Sequence, residues 1–477
     1  MHSRNQLRRK SGAPAQGPVC VAAAWLLLAA AGFAQSTAAD SQASAASAQP
    51  IVIRLEEAIH RAQQSDPALA AARAASRSAA LDRSIAAAGL LPNARFLSQD
   101  IYTQPNGIYN EGDAGQPSAP LPRFVANDSR PWEYIAQGIV SETLSLAGSA
   151  AVRRADAAAA QAAAEEEIAS RGLVAGVTTL FYSAMAAANK AAVAQQALNE
   201  AAGFTRITQE REQAREAAHA DVIKAQLEEQ GRQREVEDAQ LAAEKARLEL
   251  GVLLFPDPRT PYTLSAPSAA PPLASREDID AAAAKNNPEL KSALAALSVS
   301  NADVLAARAA YLPDLGLNVI YGIDANQFAV NGPLNPGNSL NPSGTQARNL
   351  GYSTSVTVNL PLWDWLSTEH KVKQSEIRRQ AAQVALTNTQ RQLIARLDEA
   401  YSEAATARTQ LASLDQSVAT AAESLRLTKL AYQGGEATVL EVVDAQNAYV
   451  AAQNAREDGR VRYQAALADL QTLTGTM

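Results

Sequence analysis

Apolar and polar positions alternate along this chain in two distinct rhythms. Leu315, Leu317, Val319, Tyr321 and Ile323 alternate with Gly316, Asn318, Ile320 and Gly322. Beyond a segment rich in Asn, Gly and Pro, Ala325 to Asn349, the alternation resumes. There Tyr352, Val356, Val358, Leu360 and Leu362 are separated by Ser353, Ser355, Thr357 and Asn359. A period of two predicts strands near 314–324 and 351–362, each with one apolar face, joined by an exposed loop. The rhythm then changes. Leu386, Leu393, Ala400, Ala407, Leu414 and Ala421 form one seven-residue column, and Leu397, Ala404, Leu411, Val418 and Leu425 form another. Two sustained heptad columns predict a long helix packed as in a coiled coil, and the abundant alanine predicts close helix approach.

The whole pattern occurs twice. Asp66-Pro67 and Leu91-Pro92 recur 221 residues later as Asn287-Pro288 and Leu312-Pro313. Ala225-Gln226 recurs 220 residues later as Ala445-Gln446. The repeats span 51–255 and 275–477, joined by a proline-dense linker at 256–274 that suits an extended strap. Matching the repeats places first-half strands near 93–103 and 134–144. Asp66 and Asn287 precede proline at a first helical position, so helices are expected from Pro67 to Leu91 and from Pro288 to Leu312. Pro92 and Pro313 end them.

The geometry is that of a rod. Helices from Ala147 to Ala214 and from Trp365 to Tyr432 each have 68 residues, about 100 Å at 1.5 Å per residue. Each turns and returns as a shorter helix, Ala217 to Leu254 in the first half. That return, laid end to end with the Pro67–Leu91 helix, roughly matches the long helix beside it.

The amino terminus reads as an export signal over residues 1–34, with Arg4, Arg8, Arg9 and Lys10 before an apolar run from Val19 to Ala34. Residues 35–50, rich in Ala, Ser and Gln, read as a disordered leader. Cys20 is the sole cysteine and leaves with the signal, which excludes disulfides and thiolate chemistry from the mature chain. Loss of the basic start makes the exported protein more acidic than its formal −7, a poor match for nucleic acid. From residue 51 onward no hydrophobic stretch is expected to reach transmembrane-helix length, so a membrane crossing needs β-strands.

Four strands do not close a barrel, since membrane barrels begin at about eight. A cyclic homo-oligomer cures the open edges; a homotrimer is favoured, and strand number alone also permits a dimer. Aromatic residues flank the strands: Trp132, Tyr134, Tyr311, Tyr352, Trp363 and Trp365 form a candidate membrane-interface belt. Packing against a soluble core is the competing explanation.

These residues resemble the TolC-like outer-membrane efflux protein family over nearly all of the chain after the leader. The resemblance rests on Leu55-Glu56-Glu57-Ala58-Ile59 before Asp66-Pro67, and on Leu360-Pro361-Leu362-Trp363-Asp364. It rests most on Tyr432-Gln433-Gly434-Gly435 running through Val439 to Gln446, and on the closing Leu473-Thr474-Gly475. The resemblance implies a mainly α fold with membrane β-strands, in which a trimeric 12-stranded β-barrel continues into an α-helical barrel. It also implies residence in the outer membrane of a Gram-negative bacterium, surrounded by outer-membrane lipid and extending into the periplasm. The implied partners are a periplasmic adaptor protein and an inner-membrane efflux pump.

The same resemblance implies that the hairpin tips meet the adaptor: Arg215, Glu216 and Ala217 in one half, and Gly434, Gly435 and Glu436 in the other. Arg215 stands where the family usually has glycine. Glu441 and Asp444 match a carboxylate ring that constricts the closed tunnel, giving a candidate gate. They read equally as acids favoured near a helix N-terminus. In the first half, Asp221 and Lys224 occupy these places and carry opposite charges.

His60, His219 and His370 are scattered, and the chain has no nucleophile-elbow serine, phosphate-binding glycine loop or zinc-protease histidine pair. No catalytic, cofactor or metal site is expected. The leading function is a passive exit duct for pumped small molecules. The alternatives are a duct for type I polypeptide secretion and a periplasmic coiled-coil scaffold that spans no membrane.

Overall fold

In a computed structural model, the described residues are 51–102, 132–265, 272–325, 328, 330–332 and 347–475. The chain divides into two units, Met1–Ile51 and Val52–Met477. Nearly everything described belongs to the second. The expected signal and leader, and most of both long strand-connecting loops, lie outside the described residues.

Both halves run through the same elements. The first begins with β1 (Ile51–Ile53), α1 (Leu55–Ser65), α2 (Pro67–Ala88), β2 (Asn93–Tyr102) and β3 (Trp132–Leu144). It ends with α3 (Leu146–Gln213) and α4 (His219–Leu254). The second starts with β4 (Tyr262–Leu264), α5 (Arg276–Asn286), α6 (Pro288–Ala309) and β5 (Asp314–Ala325). A short pair, β6 (Asn331–Gly332) and β7 (Ala347–Arg348), precedes β8 (Leu350–Asn359), α7 (Ser367–Gly434) and α8 (Val439–Thr474).

The long helices have 68 residues each, the length expected for both. The helices α2 and α6 start at their prolines, capped by Asp66 and Asn287 side chains that accept from Leu69 N at 2.6 Å and Leu290 N at 2.8 Å. They stop three residues before the expected Leu91 and Leu312. Ahead of each proline the chain tightens into three-residue turns, with Leu91 N donating to Ala88 O and Leu312 N to Ala309 O. The start of α7 also shifts, to Ser367, because Trp365 and Leu366 adopt left-handed φ of 56° and 63°.

Four strands form one antiparallel sheet in the order β2-β3-β5-β8. Asn93, Ser141, Asn318 and Ser355 align as a polar row across one face. On the opposite face Leu144, Leu315 and Val358 form an apolar row, with Val140 opposite Val319 and Leu317 opposite Val356. These apolar side chains are all exposed. Among the described residues the outer edges of β2 and β8 are unpaired.

The helices follow the strands. α3 packs against α2 and α6, and α6 against α7, giving the order α2-α3-α6-α7. Further along, α3 packs against α4 and α8, and α8 against α7. Each long helix thus lies beside two stacked shorter ones, roughly 33 Å and 54 Å long. One expectation fails in composition: α3 carries an 18-residue window apolar enough to cross a membrane. Its position among four helices explains that alanine-rich apolarity without a lipid neighbour.

A belt around the middle was not foreseen. β1 and β4 pair, and Ser265 N donates to Ile53 O at 3.0 Å. There Phe181 of α3 is buried with Ile53, Ala58, Leu250 and Tyr262. The second-half equivalent gathers Ile279, Ala283, Leu397, Ala404 and Leu470. Of the expected linker, the start is a turn in which Thr260 N donates to Asp257 O, and β4 follows it; residues 266–271 lie outside the described residues.

Candidate functional site at the hairpin tips

Two hairpins end side by side, built on nearly the same turn. Glu216 N donates to Arg211 O, and Glu436 N to Ala431 O, both at 2.8 Å and five residues back. This reversal needs a left-handed residue one position earlier. Gly435 supplies it with φ 79°, and Arg215 with φ 66°. Arg215 therefore adopts the left-handed backbone of its repeat counterpart, Gly435.

The tips are tied to each other. Phe204, Ala225, Tyr432, Val439 and Val442 form a buried cluster that joins α3, α4, α7 and α8. The rings of Phe204 and Tyr432 lie 5.0 Å apart. Arg211 extends from α3 across the Tyr432 ring and donates to the Tyr432 carbonyl, while also pairing with Glu216 at 3.6 Å. Sequence reasoning missed Arg211, because one cation in a long helix has no distinguishing pattern before its neighbour is known.

Glu441 and Asp444 are both exposed near the start of α8, but their environments differ. Glu441 closes a capping box: its carboxylate accepts from Thr438 N at 2.6 Å and Thr438 Oγ1 at 3.0 Å, while Thr438 Oγ1 accepts from Glu441 N. The Thr438 backbone bond, then its hydroxyl, hold the Glu441 carboxyl below its ordinary range. Asp444 has no hydrogen bond or ion pair among the described residues. In the first half Asp221 pairs with Lys224 at 3.5 Å, and His219 with Glu212 at 2.7 Å. Acidic charge at the tip is thus freer in the second hairpin.

The aromatic positions other than Tyr352 separate into two levels, one at each end of the sheet. Trp132 and Tyr134 lie at one end, opposite Tyr102 and Ala325, whereas Tyr352 lies opposite Tyr321 and in line with Gly138, midway along β3. Tyr311, Trp363 and Trp365 lie at the other end, at the junctions with the helices, and all three are exposed. Trp363 and Trp365 meet edge to face at 5.7 Å. About ten strand residues separate the levels, ~33 Å along a strand and ~25 Å across a bilayer once tilted as membrane strands are. Among the described residues no group of three His, Cys, Asp or Glu is placed to hold a metal ion.

Comparison with known proteins agrees with this geometry. The family described as outer membrane efflux protein matches residues 281–476. Outer membrane protein OprJ of Pseudomonas aeruginosa is 26% identical over 186 residues, 39% of this chain; the match spans about a third (36%) of that relative's length. The fold is similar to the CmeC outer membrane channel of Campylobacter jejuni, with TM-score 0.69 and 17% identity over 88% of this chain and 85% of that one. It is equally similar to the outer membrane protein VceC of Vibrio cholerae, with TM-score 0.69 and 18% identity over 88% of this chain and 96% of that one. The second half thus matches the outer membrane efflux protein family over residues 281–476, and the fold, over 88% of the chain, is similar to that of solved outer membrane channels.

Proposed function

We propose that this protein is the outer-membrane channel of a tripartite efflux system, a passive duct that carries small molecules from periplasm to exterior. One observation carries the reading: the sheet and the helical layer are open along the same two sides. Order β2-β3-β5-β8 runs parallel to α2-α3-α6-α7, so both layers end on first-half elements at one side and on β8 and α7 at the other. A head-to-tail ring of copies joins β8 to β2 and α7 to α2 and α4 in one step. Three copies give a barrel of about twelve strands, within the size range of membrane barrels. The apolar rows face lipid between the two aromatic levels, and the polar row lines the duct.

The hairpin tips project away from the membrane, where an adaptor delivering cargo from an inner-membrane pump would meet Arg215–Ala217 and Gly434–Glu436. Asp444, with Glu441 beside it, places a ring of carboxylates at the duct entrance. A periplasmic scaffold is disfavoured, because it leaves the exposed apolar face of the sheet in water. Membrane fractionation followed by planar-bilayer recording tests the proposal. The expected result is a detergent-extracted trimer with stepwise conductance; a protein that is water-soluble and does not conduct refutes it.

A further inference from the structure

The internal repeat supplies a template for the side of α7 that this chain leaves bare. α3 and α7 match at a constant offset of 220, pairing Leu173 with Leu393, Val177 with Leu397 and Ala184 with Ala404. α3 is covered on both sides, by α2 and α4 on one and by α6 and α8 on the other. Among the described residues α7 is packed on one side, by α6 and α8. Residues that α3 buries on its second side have exposed counterparts on α7. Ala164 is 4% exposed and Val384 is 66%; Val174 is 9% exposed and Ile394 is 62%.

Arg171 lies on the same side of α3, 6% exposed, and binds main-chain carbonyls. Its Nη1 donates to Thr472 O at 3.1 Å and its Nη2 to Asn286 O at 3.2 Å. The repeat counterpart of Arg171 is Arg391, exposed and without a partner among the described residues. The counterparts of its two acceptors are Val252 and Ser65, which lie at the ends of α4 and α1. Neither carbonyl has its usual helical donor: four residues beyond Val252 is Pro256, which has no N–H. Four residues beyond Ser65 is Leu69, whose N–H is taken by Asp66.

We infer that Arg391 crosses the subunit boundary and donates to the Val252 and Ser65 carbonyls of the next copy, as Arg171 does within the chain. The inference rests on the ring proposed above and adds its register. Two orphaned helix-end carbonyls suit a guanidinium, which presents paired donors and is favoured at helix C-termini. Ile394 then covers the exposed Val252 of that copy. A second pair fits the same register. Arg154 of α3 binds Asp303 of α6 at 2.7 Å. The counterpart of Asp303 is Asp82 and that of Arg154 is Gln374, with the exposed Arg378, unpartnered among the described residues, one turn further along α7.

Paired cysteines test the register in the intact protein. Ile394→Cys and Val252→Cys are combined in a Cys20→Ser background and treated with a short bis-maleimide, while mass in detergent is read separately. Within one copy, α4 and α7 form opposite sides, so the expected product is a covalent trimer closed through three links. Arg391→Ala is expected to speed subunit dissociation about tenfold to a hundredfold, the loss typical of charge-assisted hydrogen bonds. A trimer by mass that yields no covalent trimer, with Arg391→Ala dissociating at the native rate, overturns the register and leaves the ring. A monomer by mass overturns both.

Discussion

Arg211 lies 4.9 Å from the centroid of the Tyr432 ring and donates to the Tyr432 carbonyl at 2.6 Å. That carbonyl belongs to the last turn of α7, where backbone acceptors have no helical partner. One side chain thus caps one hairpin while belonging to the other. Arg211→Ala should loosen both tips together, with amide-exchange protection at Thr208 and Tyr432 falling about tenfold or more. Tyr432→Phe keeps the ring and the carbonyl, losing only a long 3.4 Å contact to Thr208. It should change protection much less; an equal loss would show that the hydroxyl, not the arginine, holds the tips.

The two turns invite exchange of their left-handed residues. Arg215→Gly removes a backbone penalty and should stabilise the first hairpin by about 1 kcal/mol, read as a raised melting temperature. Gly435→Ala should cost about 1–2 kcal/mol. The added methyl meets nothing closer than Arg211 Nη2 at 4.0 Å, so that cost is conformational rather than steric. Opposite signs at matching positions are the expected outcome.

Glu441 gives the start of α8 a pH dependence of defined sign. Its folded carboxyl titrates below the ordinary glutamate range because Thr438 donates two hydrogen bonds to the ionised form. The stabilisation is therefore complete above the unfolded value and is lost as pH falls through the folded one. Exchange protection in the first turn of α8 should fall on acidification, and Glu441→Gln should abolish that dependence. Protection that instead rises in acid would contradict the assignment.

The two acids can also be separated functionally. Asp444→Asn should weaken divalent-cation block in single-channel recordings without disturbing the helix start, since Asp444 makes no capping contact. Glu441→Gln should weaken block and loosen the cap together. Block unchanged in the double variant would exclude a gating role for either residue.

Gly322 lies on β5 opposite Gln137 of β3. A methyl group there would collide with Ala136 O and lie 2.6 Å from Gln137 Cα, both parts of the backbone. Gly322→Ala should therefore pry apart the central strands, cost about 1–3 kcal/mol and reduce the membrane-inserted fraction. Gly351→Ala on the edge strand meets nothing within 4 Å and should insert normally.

Much of this architecture was legible because its long elements repeat their pattern many times. Heptad columns along α7 predicted a long helix in close packing, and the structure gathers their residues with α8: Ala404 clusters with Ala466 and Leu470, and Ala407 with Tyr463 and Leu467. The apolar rows of β5 and β8 were equally plain. Short elements lacked that redundancy. α5 buries only Ile279 and Ala283, too few to show a period, and β1 and β4 have three residues each. At the tips, Glu441 read equally as an acid favoured near a helix N-terminus and, through the family resemblance, as part of a gate. The capping bonds are now visible, whereas the gating role depends on copies outside one chain. Arg391 was unreadable for the same reason: its meaning appears only when α3 is laid over α7.

The constant offset between α3 and α7 has a further consequence. Each residue added to a helix turns everything beyond it by about 100°. A one-residue insertion in either long helix would swing its buried column away from its neighbours while the other stayed in place. Indels should therefore survive only in pairs, one in each half, so the reach of the rod changes in matched steps or not at all.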